Sequence, residues 1–182
     1  QRVTVSVMHR RYGIVAAALL AATLIAIALS AADWWSGNLT LGGRTSSKVA
    51  SIDLFSFDGC DTKGMAQCKT IDHGHIGGAF AKTASLVVVV GWFSFGALMA
   101  VAGLTLRGHR RARLAVFAAA ATVSLTLVGA LVFVMAKPPH YAVPVGPGLP
   151  LFFVGVAAAA GAIVASLLPP AANRGAAPTS AR

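Results

Sequence analysis

The sequence predicts an all-α membrane protein, in which four transmembrane helices form a bundle and a small β-rich cap, tied by a disulfide, lies on the extracytoplasmic side. Three observations predict this class. Of the 182 residues, 57% are apolar and only 11% are charged, whereas about a quarter of the residues in a soluble domain are charged. Four apolar runs are long enough to span a bilayer, and both cysteines lie between the first two runs. This composition excludes a soluble enzyme and a disordered chain.

Each apolar run has the length that a membrane helix requires. A hydrocarbon core about 30 Å thick is spanned by about 20 helical residues. Backbone amides in lipid must bond within their own segment or within a closed barrel, so long runs without charged residues favour helices. The first run is too long for the apolar region of a signal peptide, and we expect it to remain as an anchor. The predicted helices cover residues 12–32, 83–106, 114–136 and 149–168.

Basic residues predict the orientation of the bundle. Nine arginines precede helix 1, fill the turn between helices 2 and 3, or lie in the tail, while every acidic residue lies within residues 33–72. The positive-inside rule therefore places residues 1–11, the turn and the tail (169–182) in the cytoplasm. The net charge of +10 is then a topology signal with some attraction to anionic lipid headgroups. We expect no nucleic-acid partner, since no soluble basic module is present.

The segment 33–82 is far longer than a connection between two helices needs, and we expect it to fold as the cap. Residues 38–41 alternate, and the glycines at 42 and 43 predict a turn. Residues 51–57 are rich in aromatic and branched side chains, and Asp58-Gly59 predicts a turn directly after them. The residues expected to pack against the bundle are Ile52, Leu54, Phe55 or Phe57.

Cys60 and Cys68 lie in this cap, on the side predicted to be oxidising, with seven residues between them. A lone pair in that compartment is typical of a structural disulfide. Such a bond stabilises by about 2–3 kcal/mol, mostly by restricting the unfolded chain. Free thiols or a metal-binding pair are the alternatives.

The layout resembles that of the claudins and peripheral myelin proteins, a group of four-helix, or tetraspan, membrane proteins. Trp34 or Trp35 follows helix 1, where that group carries a tryptophan, and Phe55-Ser56-Phe57 stands in place of its Gly-Leu-Trp. Phe57 is followed by two residues and then Cys60, as in the group, although Cys68 comes slightly early. The resemblance implies internal termini and a large first extracellular loop. Members of the group seal junctions, line paracellular pores or modify channels.

Asp72, His73 and His75 are the candidate metal ligands. Two imidazoles separated by one residue can both face a metal ion if the backbone is extended, and Asp72 could ligate the metal or orient a histidine. Copper or zinc would be the metal. A polar loop at the membrane surface is the alternative, and we expect no other cofactor.

Trp34 and Trp35 adjoin the end of helix 1, where rings with a polar edge favour the lipid headgroup region. We therefore interpret them as membrane anchors, with a recognition surface that includes Phe55 and Phe57 as the alternative.

Small residues recur at helical spacing on two helices. Such faces let helix backbones approach closely, either within the bundle or against a partner subunit. The residues on helix 2 are Gly96, Ala100 and Gly103, and those on helix 4 are Gly155, Ala159, Ala162 and Ser166.

The absence of ionisable residues inside the predicted helices argues against a pump or a coupled transporter. No paired carboxylates or nucleophile–base set suggests an enzyme. We therefore predict a structural or accessory subunit of a membrane complex, or of an adhesion-like assembly, which acts through protein–protein interaction. Its expected partners are lipids and other membrane subunits or a second copy. The alternatives are a metal-handling or redox subunit and a self-associating pore.

Overall fold

A computed structural model describes residues 2–41, 44–60, 68–72, 78–137 and 143–168 of the protein. Within these ranges the chain forms four long helices and four strands. The helices are α1 (Arg2–Ser30), α2 (Gly78–Leu106), α3 (Ala112–Met135) and α4 (Gly148–Leu167). The strands, between α1 and α2, are β1 (Trp35–Leu41), β2 (Arg44–Ile52), β3 (Ser56–Cys60) and β4 (Cys68–Asp72).

All four helices contain a segment long and apolar enough to cross a membrane, which confirms, for the described residues, the predicted number of long apolar helices. Two helices begin earlier than predicted, α1 at Arg2 and α2 at Gly78. No glycine or proline interrupts residues 2–11, and a helix satisfies its own backbone hydrogen bonds in water as well as in lipid, so α1 continues beyond its apolar run. The other helix ends agree with the prediction within about two residues, the usual uncertainty of a helix boundary.

Helices α1 and α2 form the middle of the bundle, because α1 packs along α2 and α4 and α2 packs along α1 and α3. Among these described helices, the contact between α3 and α4 is less extensive than the other three. Glycines bring the helices close together. A Cβ atom added to Gly91 would lie 2.5 Å from Leu29 Cδ1, and one added to Gly155 would lie 3.0 Å from Ile25 Cγ1. The neighbours of α1 therefore pack directly against its aliphatic side chains.

The strands form one antiparallel sheet in the order β1-β2-β3-β4. Leu41 pairs with Arg44 in the register, and the turn predicted at Gly42-Gly43 lies outside the described residues. The turn predicted at Asp58-Gly59 is wrong, because both residues lie within β3. The chain reverses instead after β2. There Asp53 Oδ1 accepts the backbone N–H of Phe55 at 2.6 Å and that of Ser56 at 2.5 Å.

Burial in the sheet agrees only in part with the expectation. Ile52 and Leu54 are buried, at 2% and 3% exposure, whereas Phe55 is 55% exposed at the turn between β2 and β3. Nothing is described for the side chain of Phe57. The aspartate-stabilised turn therefore directs Leu54 inward and Phe55 outward.

The segment before α4 attaches the sheet to the bundle. Ser36 N donates to Pro144 O at 3.0 Å, Gly146 N donates to Trp34 O at 2.9 Å, and Gly148 N donates to Asp33 O at 2.7 Å. Gly37 has φ +152°, and a Cβ atom there would lie 2.8 Å from Pro144 Cδ, so this crossing requires glycine. Backbone hydrogen bonds therefore join the start of β1 to the start of α4.

Candidate functional site

Five buried aromatic rings join the sheet to the helices at the end of the bundle that carries the sheet, here called the sheet end. The ring of Trp34 lies 5.5 Å from that of Phe133 and 5.3 Å from that of Phe152. Phe80 stacks on Phe133 at 4.5 Å, and Trp35 lies 5.3 Å from Phe133. Because the rings come from β1, its preceding residue and three helices, this aromatic cluster fixes how those elements meet.

Trp34 and Trp35 are not surface residues, so interpreting them as headgroup anchors or as a recognition surface is wrong. Their exposures are 0% and 3%. Trp34 Nε1 donates to the carbonyl oxygen of Ala28 at 2.8 Å, a carbonyl in the last turn of α1, where intrahelical amide donors run out. The chain turns inward after Ser30, and the indole N–H is satisfied by the helix end rather than by headgroups.

Lys137 also lies at the sheet end and was missed by the sequence reasoning. Its Nζ donates to Val143 O at 2.8 Å and lies 5.0 Å from the centroid of the Trp35 ring. Burial lowers the pKa of the Lys137 ammonium from its ordinary value of 10.5. A single lysine directly after an apolar run was the available signal, but the sequence did not show that an aromatic face lies beneath it.

The helix interior contains few polar groups. Among the residues with described burial, the buried polar ones are Ser94 and Thr126. Their hydroxyl oxygens lie 2.8 Å apart, and each is also within hydrogen-bonding distance of a carbonyl oxygen one turn earlier in its own helix, so one hydroxyl donates to the other, which in turn donates to its helix carbonyl. Since both hydroxyls are satisfied, they tie α2 to α3 without leaving an open polar site.

The two predicted small-residue faces have opposite outcomes. On α4, Gly155, Ala159 and Ala162 are buried, and Gly155 packs against α1 as described above. On α2, Gly96, Ala100 and Gly103 are exposed, and, apart from the helix's own backbone, no atom of the described residues lies within 4 Å of the Cβ position of either glycine. Packing inside the bundle therefore explains the face on α4 but not the one on α2.

Trp92 lies on the same outward side of α2, one turn before Gly96 and midway along the helix. Its side chain is 45% exposed, and its ring meets that of Phe95 edge-on at 5.5 Å. Within the described residues, the structure gives the indole N–H no acceptor. The outer face of α2, defined here by Trp92, Gly96, Met99, Ala100 and Gly103, thus combines a shallow surface with an unpaired donor.

The cysteine and metal predictions are tested only at the level of the backbone. Cys60 lies opposite Cys68 in the register of β3 and β4, and nothing is described for either side chain. His73 and His75 lie outside the described residues, and Asp72 ends β4. In the part of the chain that the structure describes, no group of three metal-ligating side chains occurs. The metal site remains a prediction.

Four helices long and apolar enough to cross a membrane, with a sheet at one end, indicate a multi-pass membrane protein. No protein-family model matches the sequence, and a search of curated proteins found no significant match. The resemblance to claudins is therefore neither supported nor contradicted and stays a prediction.

Proposed function

We propose that this protein is a structural or accessory subunit that packs against a helix of another membrane protein. The outer face of α2 is the observation that carries the proposal. It presents Gly96, Ala100 and Gly103 away from the bundle, at the spacing that lets two helix backbones approach closely.

The outward glycines support a partner helix on energetic grounds. Glycine in a helix costs about 1 kcal/mol relative to alanine, and neither Gly96 nor Gly103 has a neighbour within 4 Å of its Cβ position. The bundle itself therefore gains no close packing from either residue. A second helix lying on this face would gain that packing.

Trp92 supports the same partner through a different kind of contact. Hydrocarbon offers no acceptor for an indole N–H, and a polar group left unpaired in an apolar environment is unfavourable. Midway along α2, a protein partner would supply an acceptor, such as a serine or threonine hydroxyl or a freed backbone carbonyl. We therefore propose a partner helix with a small-residue face and one such oxygen near its centre.

The rest of the bundle is suited to a scaffold. The described polar pair in its interior, Ser94 and Thr126, is internally satisfied, and the aromatic cluster joins the sheet to three helices. These features favour a rigid shape that a partner can bind.

Site-specific photocrosslinking in the native membrane tests the proposal. A photoreactive side chain replaces Met99, which is 43% exposed on the outer face of α2, and in a control replaces Phe117, which is 60% exposed on α3. We expect an adduct with another membrane protein at position 99 and a much weaker one at 117. Adding Gly96→Leu should abolish the adduct at position 99.

Three outcomes would contradict the proposal. Equal adducts at both positions would indicate random collisions, and a lipid-only product at position 99 would indicate that lipid covers this face. A product containing two copies of this chain would favour self-association, including the pore alternative, over a separate partner.

We further propose that Cys60 and Cys68 form a disulfide that ties β3 to β4. Directly paired residues on antiparallel strands have Cα atoms about 4.5–5.5 Å apart, which is within the range of disulfides, and the register pairs these two residues. Thiol alkylation of the denatured, unreduced protein should label neither cysteine, and labelling of both without reduction would contradict the bond.

The orientation proposed for the bundle places the end that carries the α2–α3 turn, here called the arginine end, in the cytoplasm. The excess of arginine there and the location of every acidic residue within residues 33–72 support it. Reporter fusions at His109 and at Cys60 should give opposite compartments, and the same compartment for both would refute this topology.

A further inference from the structure

A cavity of about 430 Å³ lies at the arginine end, among residues of all four helices and the α2–α3 turn. Its volume is within the range of about 300–1,000 Å³ that is usual for small-molecule sites. The side chains that line it divide into two kinds. Arg11, His109, Arg110 and Arg113 are basic, whereas Ile14, Leu104, Val116 and Leu167 are apolar.

The basic side of the cavity has no acidic side chain to neutralise it. All five aspartates of this sequence lie within residues 33–72, and the sequence contains no glutamate. The described aspartates lie at the sheet end, a membrane thickness away. Arg11, Arg110 and Arg113 therefore line the cavity without a carboxylate from the described chain to neutralise them.

Backbone groups add to the positive potential. The first residues of α3, Ala112 and Arg113, line the cavity, and the N-cap residue Arg111 makes no side-chain capping hydrogen bond. The N-terminus of a helix favours an anion through its free amides and its dipole. Ala112 N already donates to His109 O at 3.0 Å, so any such contribution comes from the amides that follow it in the first turn of α3.

The walls of the cavity are held in place by specific contacts. Arg10 donates to the carbonyl oxygens of Ala165 and Leu168, which joins α1 to the end of α4. His109 Nδ1 accepts the N–H of Arg111 at 3.1 Å, so a neutral His109 carries its proton on Nε2 and keeps a donor. Gly108 has φ +63°, a left-handed backbone conformation that favours glycine, and Arg11 Nη1 lies 3.5 Å from its Cβ position, so the guanidinium lies directly over the turn.

We propose that this cavity binds the phosphate group of an anionic phospholipid. Arginine pairs with phosphate through two parallel hydrogen bonds, and basic pockets at the ends of transmembrane helices are suited to lipid headgroups. The apolar lining distinguishes a lipid from free phosphate. Leu167 is 51% exposed and Leu104 is half-buried, and these two side chains offer an apolar surface to the glycerol and first acyl carbons but nothing to an inorganic ion.

Lipid retention measured by native mass spectrometry tests the proposal. The purified full chain is exchanged into nanodiscs of equal parts phosphatidylglycerol and phosphatidylcholine, released into mild detergent, and weighed with its bound lipid. We expect phosphatidylglycerol to be retained preferentially. Arg110→Gln with Arg113→Gln should lower the retention at least about tenfold, since a hydrogen bond to a charged group contributes about 1.5–3 kcal/mol and 1.4 kcal/mol is a factor of ten.

Matched variants separate a site from general charge. Arg107→Gln with Arg111→Gln removes the same charge from the same end, but neither residue lines the cavity, so retention should stay within about twofold of the unaltered protein. An equal loss in both double variants would overturn the proposal in favour of unspecific attraction. Arg113→Lys keeps the charge but not the paired hydrogen bonds, and it should give an intermediate loss in a fully folded protein.

Competition with inorganic phosphate distinguishes the two sources of the anion. Excess phosphate should displace little phosphatidylglycerol, because inorganic phosphate gains nothing from the apolar side chains of Leu104 and Leu167. If phosphate displaces the lipid fully and binds equally well alone, the cavity is a site for the free ion and the lipid proposal is wrong. Equal retention of phosphatidylcholine and phosphatidylglycerol would also refute it.

Discussion

Replacing Trp34 should destabilise the protein far more than replacing Trp92, which lies midway along α2. Trp34 is 0% exposed and contacts the rings of Trp35, Phe133 and Phe152. Removing a large buried aromatic side chain costs about 3–5 kcal/mol in free energy of unfolding, so Trp34→Ala should lose that amount.

The variant Trp34→Phe isolates the hydrogen bond from the packing. It keeps an aromatic ring but removes the donor 2.8 Å from Ala28 O. The buried carbonyl oxygen is then unsatisfied, which costs about 1–3 kcal/mol. Trp92→Phe is the matched control, because Trp92 is 45% exposed and its N–H has no acceptor within the described chain, so the change should stay within about 0.5 kcal/mol.

Reversible unfolding in mixed micelles, followed by circular dichroism as the fraction of denaturing detergent rises, measures these differences. The order of stability should be Trp92→Phe, then Trp34→Phe, then Trp34→Ala. Equal stability of the two Phe variants would refute the assigned role of the Trp34 indole. A loss for Trp34→Phe that depends on lipid headgroup type would instead support an anchor at the membrane surface.

Three further predictions use the same unfolding measurement. Gly155→Leu should lower the free energy of unfolding by about 1–3 kcal/mol, because Ile25 Cγ1 lies 3.0 Å from the Cβ position of Gly155. Gly161→Leu should be close to neutral, because no described side chain lies within 4 Å of that Cβ position. Similar losses in the two variants would contradict the packing of α4 on α1. Burial lowers the pKa of the Lys137 ammonium below 10.5, so on raising the pH the folded state loses this proton before the unfolded state does, and the free energy of unfolding should rise toward pH 10.5 and level off above it. Lys137→Met should remove this rise. An unchanged pH dependence in that variant would show that Lys137 does not cause it. Ser94→Ala and Thr126→Ala, whose oxygens are 2.8 Å apart, should show a coupling energy of about 0.6 kcal/mol in a double-mutant cycle, and strictly additive effects would exclude the interhelical bond.

The number of helices could be predicted because bilayer thickness imposes a length that few soluble segments reach. The direction in which each helix face points, into the bundle or away from it, could not be predicted. Lipid tails are as apolar as a protein interior, so a membrane helix is apolar all round and its sequence carries no strong inward signal. For this reason the faces that contain Gly96 and Gly155 look alike in sequence, but Gly96 faces away from the bundle and Gly155 faces into it.

The sheet was harder to predict than the helices. Asp58-Gly59 and Asp53 both have turn-forming chemistry, and only the hydrogen bonds from Phe55 and Ser56 to Asp53 decide between them. The cavity at the arginine end could likewise not be predicted from the sequence. Arg11, Arg110 and Arg113 are visible as a topology signal, but Arg11 lies far from the other two in the chain. Only the packing of α1 beside the α2–α3 turn brings them together.

The backbone hydrogen bonds between β1 and the segment before α4 have a mechanical consequence. A sheet on a flexible tether could tilt without disturbing the membrane part, but here tilting must break the bonds from Ser36, Gly146 and Gly148. Force applied at the end of the β1–β2 pair away from Trp35, where Leu41 pairs with Arg44, would therefore be transmitted into α1 and α4. A partner bound to the sheet would therefore act mechanically on the two helices whose other ends line the cavity.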